Sequence, residues 1–322
     1  MTVKRMMTLS LVLLMLAGLL FVIGCEADEV EDVVDDDEDE VIDTEVVVGS
    51  KEYTEQLVLG QIAIHALEHH GIPTVDETGL GGTSMVREAL EVGDVDLYWE
   101  YTGTALIAIH GHDEAITDPQ ECYDVVKETD IEENQIVWLD YTPFNNTYTI
   151  MMREDDANEL GIETISDLAN AINEGVEAPE PGEWNLASDH EYTIRDDGYP
   201  GLQELYNFEF DDVLPMDAGI VYDSIKEGDV SVSMGYATDG RIAAYGLVNL
   251  VDDKNFHPVY NCAPTLREET LEELPQIADI LNPIANALEA EAMAEMNMKV
   301  DIDGDLPSEV AEEWLLEEGF IE

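Results

Sequence analysis

From Glu45 onward, short apolar runs of strand length alternate with longer segments of helical period, and this alternation restricts the chain to few folds. "EVVVGS" (Glu45–Ser50) reads as a strand. "YTEQLVLGQIAIHALEHHG" (Tyr53–Gly71) has helical spacing, with Thr54 as N-cap candidate and Gly71 as its stop. "TSMVREALEVG" predicts a second helix, capped by Thr83 or Ser84 and ended at Gly93. "VDLYWEY" (Val95–Tyr101) is a strand, and "TGTALIAIHG" opens another helix. Further on, "TYTIMMR", "SVSMGYATDG" and "LVNLVDD" read as strands, and "ISDLANAINE" as a helix capped by Ser166. The C-terminal segments "TLEELPQIADILNPIANAL" and "PSEVAEEWLLEEGF" are helical, the second capped by Ser308. Strands and helices alternating in this way build α/β layers with helices on the sheet faces.

The charge balance first argues against such order. Seventy-five Asp and Glu face twelve Lys and Arg, a formal charge of −63, and extreme net charge usually marks disorder. The persistent periodicity and a hydrophobic content of 45% favour a large folded core of two domains instead. The surface then reads as one adapted to high salt, where screening removes self-repulsion. A chain this acidic has no electrostatic route to nucleic acid or to an anionic membrane surface. Its scarce bases, Lys51 and Arg195 among them, carry more information than bases usually do.

The N-terminus, "MTVKRMMTLSLVLLMLAGLLFVIGCEADEV", has a basic start, an apolar run and then Gly24-Cys25. This looks like a lipoprotein signal peptide over residues 1–24, with Cys25 as the lipidated first residue. A retained N-terminal anchor is the alternative, and both place the rest outside the cytoplasm. Cleavage removes Lys4 and Arg5 and no acid, so the mature charge becomes −63 − 2 = −65. Residues 25–45 are nearly all acid and read as a tether. Cys122 and Cys262 then remain, as one disulfide or as two buried thiols.

Familiar catalytic signatures do not hold up. His65 and His69 share a helix face but lack a third metal ligand, and read as solvated helix histidines. Asp301, Asp303, Asp305 and Glu312 approach calcium-loop spacing, but Leu306 and Pro307 stand where a glycine turn is needed. No nucleophile elbow and no phosphate loop occur. The expectation is a protein that performs no catalysis and holds no cofactor or metal.

Four blocks together carry a resemblance: "GSKEYTEQLVLGQI" (Gly49–Ile62), "GLGGTSMVREALEVGDVDLYWEYTGTAL" (Gly79–Leu106), "FNNTYTIMMR" (Phe144–Arg153), and the group "IRDDGYPGLQELY", "GYATDGRI" and "HPVYNCAPTLR". In this order the chain resembles the glycine betaine/choline/carnitine receptors of ABC importers. The resemblance implies a two-lobed α/β fold of the periplasmic-binding-protein type (type II), with ligand in the interlobe cleft. Lobe 1 is expected over 46–145 and 262–322, and lobe 2 over 146–261. A tyrosine box for a trimethylammonium head falls on Tyr101, Tyr148, Tyr236 and Tyr260. A carboxylate clamp falls on Lys51, Thr104 and Arg195. Tyr53 stands where Phe is commoner in the family, a change expected to matter little. The implied partners are a small quaternary ammonium ligand, a separate permease and ATPase, and the membrane through the lipid anchor.

The chemistry of the residues agrees with this. A quaternary ammonium has no N–H, so aromatic faces must hold it, each contributing roughly 0.5–2 kcal/mol. A carboxylate suits Arg and Lys. Tyr101 lies at a strand–helix turn, where α/β folds place ligands; Tyr98 and Trp99 are expected to support it. A receptor for choline, carnitine or an amino acid is the alternative, the last calling for a carboxylate in the cleft.

Overall fold

The computed structural model describes residues 44–322; the N-terminal leader, Cys25 and nearly all of the acidic tether lie outside the described residues. Among the described residues, ten strands form two five-stranded sheets. The first holds β1 (Val46–Lys51), β2 (Thr74–Gly81), β3 (Leu97–Tyr101), β4 (Ile136–Trp138) and β10 (Cys262–Arg267), in the order β2-β1-β3-β10-β4. The second holds β5 (Tyr148–Arg153), β6 (Asn185–Ser188), β7 (Asp212–Pro215), β8 (Val232–Tyr236) and β9 (Leu247–Asn249), in the order β7-β6-β8-β5-β9. The pairing pattern repeats. In each sheet three parallel strands are followed by a strand that runs antiparallel to both its neighbours: β10 between β3 and β4, and β5 between β8 and β9.

Two segments cross between the sheets, one before β5 and one before β10. An antiparallel bridge at Asn145 and Asn261 ties them together, and Asn146 N–H donates to the Tyr260 carbonyl at 3.1 Å. The carboxyl ends of the parallel strands in both sheets face the space between the two lobes.

Helix α1 (Thr54–His69) follows β1 and buries nearly all of its surface. Val58, Leu59, Ile62, Ala63 and Leu67 are fully covered, because the helix lies between β1 and β2 on one side and the helix Pro307–Glu318 on the other. Helix α2 (Thr83–Val92) ends at Gly93 in the left-handed conformation, φ 83°, as the sequence predicts.

The expected N-caps differ in detail. Thr54 is the first helical residue, and its hydroxyl donates to Asp301 (2.6 Å). The cap of α2 is Gly82. The helix Ile165–Glu174 is capped by Thr164 in a reciprocal box with Asp167, not by Ser166, because only Thr164 has an acid at the third helical position. Leu306, not Ser308, precedes the last helix, and Ser308 Oγ lies 2.9 Å from His65 Nε2. His65 is therefore half-buried and partnered, not a freely solvated histidine.

Cys122 and Cys262 are buried free thiols. Another scarce base, Arg87, is buried against Asp130 through two contacts of 3.0 and 2.5 Å, and Trp138 Nε1 donates to the same carboxylate at 2.6 Å. Burial opposes ionisation of Asp130, but His110 Nε2 at 3.4 Å, the hydrogen bonds from Arg87 and Trp138 and the Arg87 charge outweigh it and hold the group well below the usual carboxylate range.

Candidate ligand cleft

Between the lobes lies a cavity of about 330 Å³. Lys51 enters it from the end of β1, Tyr101 from the end of β3 and Thr104 from the turn that follows. Across the gap Tyr148 enters from the start of β5, Asp189 from just beyond β6 and Tyr236 from the end of β8. Tyr260 comes from the second crossover, and Arg195 from the loop after β6. All seven residues singled out in the sequence thus line one cavity, at the carboxyl edge where parallel strands leave room between diverging connections.

The tyrosines form a continuous series. Tyr148 packs on Tyr236 (centroids 5.5 Å apart) and edge-on to Tyr260 (5.3 Å, 78°). Tyr53 stacks on Tyr236 at 5.2 Å and 9°, and lies 6.5 Å from Tyr101. Tyr53 is therefore a fifth wall residue, joining the rings of the two lobes. Its signal in the sequence is an aromatic placed just before α1. Tyr192, buried behind Tyr148 at 4.9 Å, was not anticipated. Tyr98 and Trp99 are fully buried and stand outside the lining. Tyr98 donates to Glu100 (2.9 Å), which in turn holds Lys51 Nζ at 2.6 Å. Burial pushes the hydroxyls of the five lining tyrosines well above their ordinary pKa, so they remain neutral donors.

Both cationic side chains already have partners. Lys51 pairs with Glu100, and both are buried. Arg195 grips Asp197 through Nε (2.8 Å) and Nη2 (2.5 Å), with longer contacts of 3.4 Å to Glu191 and to Thr104 Oγ1. Its guanidinium also lies 5.5 Å from the Tyr148 ring centroid. Burial works against ionisation of Asp197, but the hydrogen bond and charge of Arg195 hold it below its usual value. These contacts leave two of the three Lys51 Nζ donors and one of the five Arg195 donors free.

The lobes meet through polar contacts that the sequence did not reveal. Glu191 accepts from Thr83 N–H (2.6 Å) and Thr83 Oγ1 (2.9 Å), closing the N-terminus of α2 from the opposite lobe. Glu55, buried in α1, accepts from Tyr101, Asn146, Thr238 and Asn297 at 2.7, 2.7, 2.5 and 3.1 Å. Arg241 Nη2 reaches Asp301 at 3.0 Å.

Two α/β lobes, a double crossover and a cleft at the strand ends define the periplasmic-binding-protein-like class of solute receptors. Within that class, the sequence matches over residues 44–317 the family described as the substrate binding domain of ABC-type glycine betaine transport systems, and the chain belongs to it. It is 40% identical to a glycine-betaine-binding protein of Pseudomonas aeruginosa (85% of this chain, 88% of that one). It is 36% identical to the glycine betaine-binding protein YehZ of Escherichia coli (85% and 91%). A crystal structure titled as a glycine betaine/carnitine/choline ABC transporter superposes with TM-score 0.70 at 30% identity (86% and 100%). The chain is thus a substrate-binding receptor for osmoprotectants, not an enzyme, and works outside the cytoplasm with an ABC permease. Among the described residues no helix is long and apolar enough to cross a membrane.

Proposed function

We propose that the cleft binds glycine betaine or a closely related quaternary ammonium compound. Tyr101, Tyr148, Tyr236 and Tyr260, joined by Tyr53, would hold the cationic head, and Lys51, Thr104 and Arg195 the carboxylate. The observation that carries this is the unbroken series of tyrosine rings beside two donor-rich cations in one cavity. Ring faces attract a diffuse cation that offers no hydrogen bonds. An amino acid would need a carboxylate for its ammonium group. Asp189 and Glu191 do line the cavity, but each is already taken up by donors from the protein. The prior pairing of Lys51 and Arg195 favours, as a second reading, a receptor that also accepts choline, which has no carboxylate.

The lobes divide in this reading at 46–145 with 262–322 against 146–261. The mature chain is held at the membrane by lipid on Cys25, and its surface is adapted to high salt. Calorimetric titration at molar salt with glycine betaine, proline betaine, carnitine, choline and proline is the test. Saturable binding of at least one quaternary ammonium, and none of proline, is expected. Binding of proline alone would refute the reading.

A further inference from the structure

Three of the lining tyrosines end on carboxylates. Tyr101 donates to Glu55 at 2.7 Å, Tyr236 to Asp189 at 2.6 Å and Tyr260 to Asp197 at 2.7 Å. The Arg195 guanidinium neutralises Asp197. Glu55 and Asp189 are different. Glu55 receives only neutral donors, from Tyr101, Asn146, Thr238 and Asn297. Asp189 receives the Tyr236 hydroxyl and the Tyr192 N–H (2.7 Å). Neither forms an ion pair among the described residues, while Lys51 is matched by Glu100 and Arg195 by Asp197. Glu191 is offset by the N-terminus of α2, with a longer contact of 3.4 Å to Arg195, and the other two acids of the lining, Glu52 and Asp217, are exposed to solvent. The charge around the cleft therefore ends in a negative excess, and its buried part sits at the hydroxyl ends of two ring walls.

Such a placement acts on the rings. A phenol that donates to a carboxylate gains electron density on its face, and the carboxylate's own field adds through the ring in a medium of low dielectric. Burial raises both carboxyls above their usual range, against the hydrogen bonds they accept, and a cation bound near the rings would favour their charged form.

We propose, resting on the functional reading above, that Asp189 and Glu55 are positioning and specificity-determining residues: they lay negative charge behind Tyr236 and Tyr101, so that the cleft selects its ligand by positive charge and not by the shape of a trimethylated head alone. Choline and 3,3-dimethylbutan-1-ol separate the two. They share a shape, but a tert-butyl group replaces the cation in the alcohol. Asp189→Asn keeps an acceptor for the Tyr192 N–H and turns an amide N–H towards the Tyr236 oxygen, so geometry survives while charge is lost. Glu55→Gln is a second variant. Asn297, whose Oδ1 is buried without a partner, can turn that oxygen to the new amide.

With the carboxylate about 7–8 Å from the cation at an effective dielectric of about 20–40, Asp189→Asn should weaken choline about five- to thirtyfold. The neutral alcohol, followed by ligand-observed NMR at millimolar concentration, should change less than about twofold, and glycine betaine should lose less than choline. Unchanged choline affinity in both variants, or equal losses for choline and the alcohol, would overturn the inference while leaving the receptor reading intact. Failure of the unaltered protein to bind any quaternary ammonium would overturn both.

Discussion

Glu191 should act as a latch whose removal weakens ligand binding without unfolding either lobe. Its carboxylate takes the backbone N–H and the hydroxyl of Thr83, at 2.6 and 2.9 Å, and these contacts exist only while the lobes are together. A hydrogen bond to a charged group contributes about 1.5–3 kcal/mol when buried, and the start of a helix adds a favourable field for an anion. The Glu191 side chain is 34% exposed, so solvent screening lowers the worth of the pair to about 1–2 kcal/mol. Glu191→Ala should then raise Kd about five- to thirtyfold, because the closed, binding-competent state becomes less populated. Glu191→Gln keeps one acceptor for the Thr83 N–H and should lose only about two- to fivefold. Gly82→Ala should weaken the latch from the other lobe, since a Cβ there meets Glu191 Oε1. Calorimetry gives the affinities, stopped flow should place the loss in dissociation, and small-angle scattering should show a more open ligand-free ensemble. An affinity for Glu191→Ala within twofold of the parent, with unchanged scattering, would refute the reasoning.

The tyrosines should not respond alike to removal of their hydroxyls. Tyr101, Tyr236 and Tyr260 each donate to a buried carboxylate. Their Phe variants should lose about 1–3 kcal/mol of stability in thermal melts, whereas Tyr148→Phe, whose hydroxyl makes no such bond, should melt like the parent. Equal melting of Tyr148→Phe and Tyr260→Phe would contradict the assignment. Stability should rise with salt, since about 1 M salt shortens the Debye length to about 3 Å and screens neighbouring carboxylates; a flat melting temperature from low to molar salt would remove the case for a salt-adapted surface. Cys25→Ala should leave the chain unprocessed or release it from membranes, and a variant of normal mature mass that still sediments with membranes would exclude the lipid anchor.

Local pattern was enough for much of this protein. Strand length, helical period and the Gly93 stop are properties of neighbouring residues, so β1, α1, α2 and β3 are legible before any folding is considered. The same holds for the bases, whose identities stand out in a chain with only twelve Lys and Arg, and for the tyrosines, which fall in the blocks that carry the resemblance. Tertiary structure decided what those residues are matched with. Lys51 meets Glu100, Thr83 meets Glu191 and Tyr101 meets Glu55 across 49, 108 and 46 residues of sequence. A helical period fixes which side of α1 or α2 is apolar, yet it carries no information about which distant carboxylate will close a helix end or sit behind a ring. In a chain with 75 acids, the few that become buried are chosen by where the two sheets bring their strand ends together, because only there do enough donors converge to hold a carboxylate away from water.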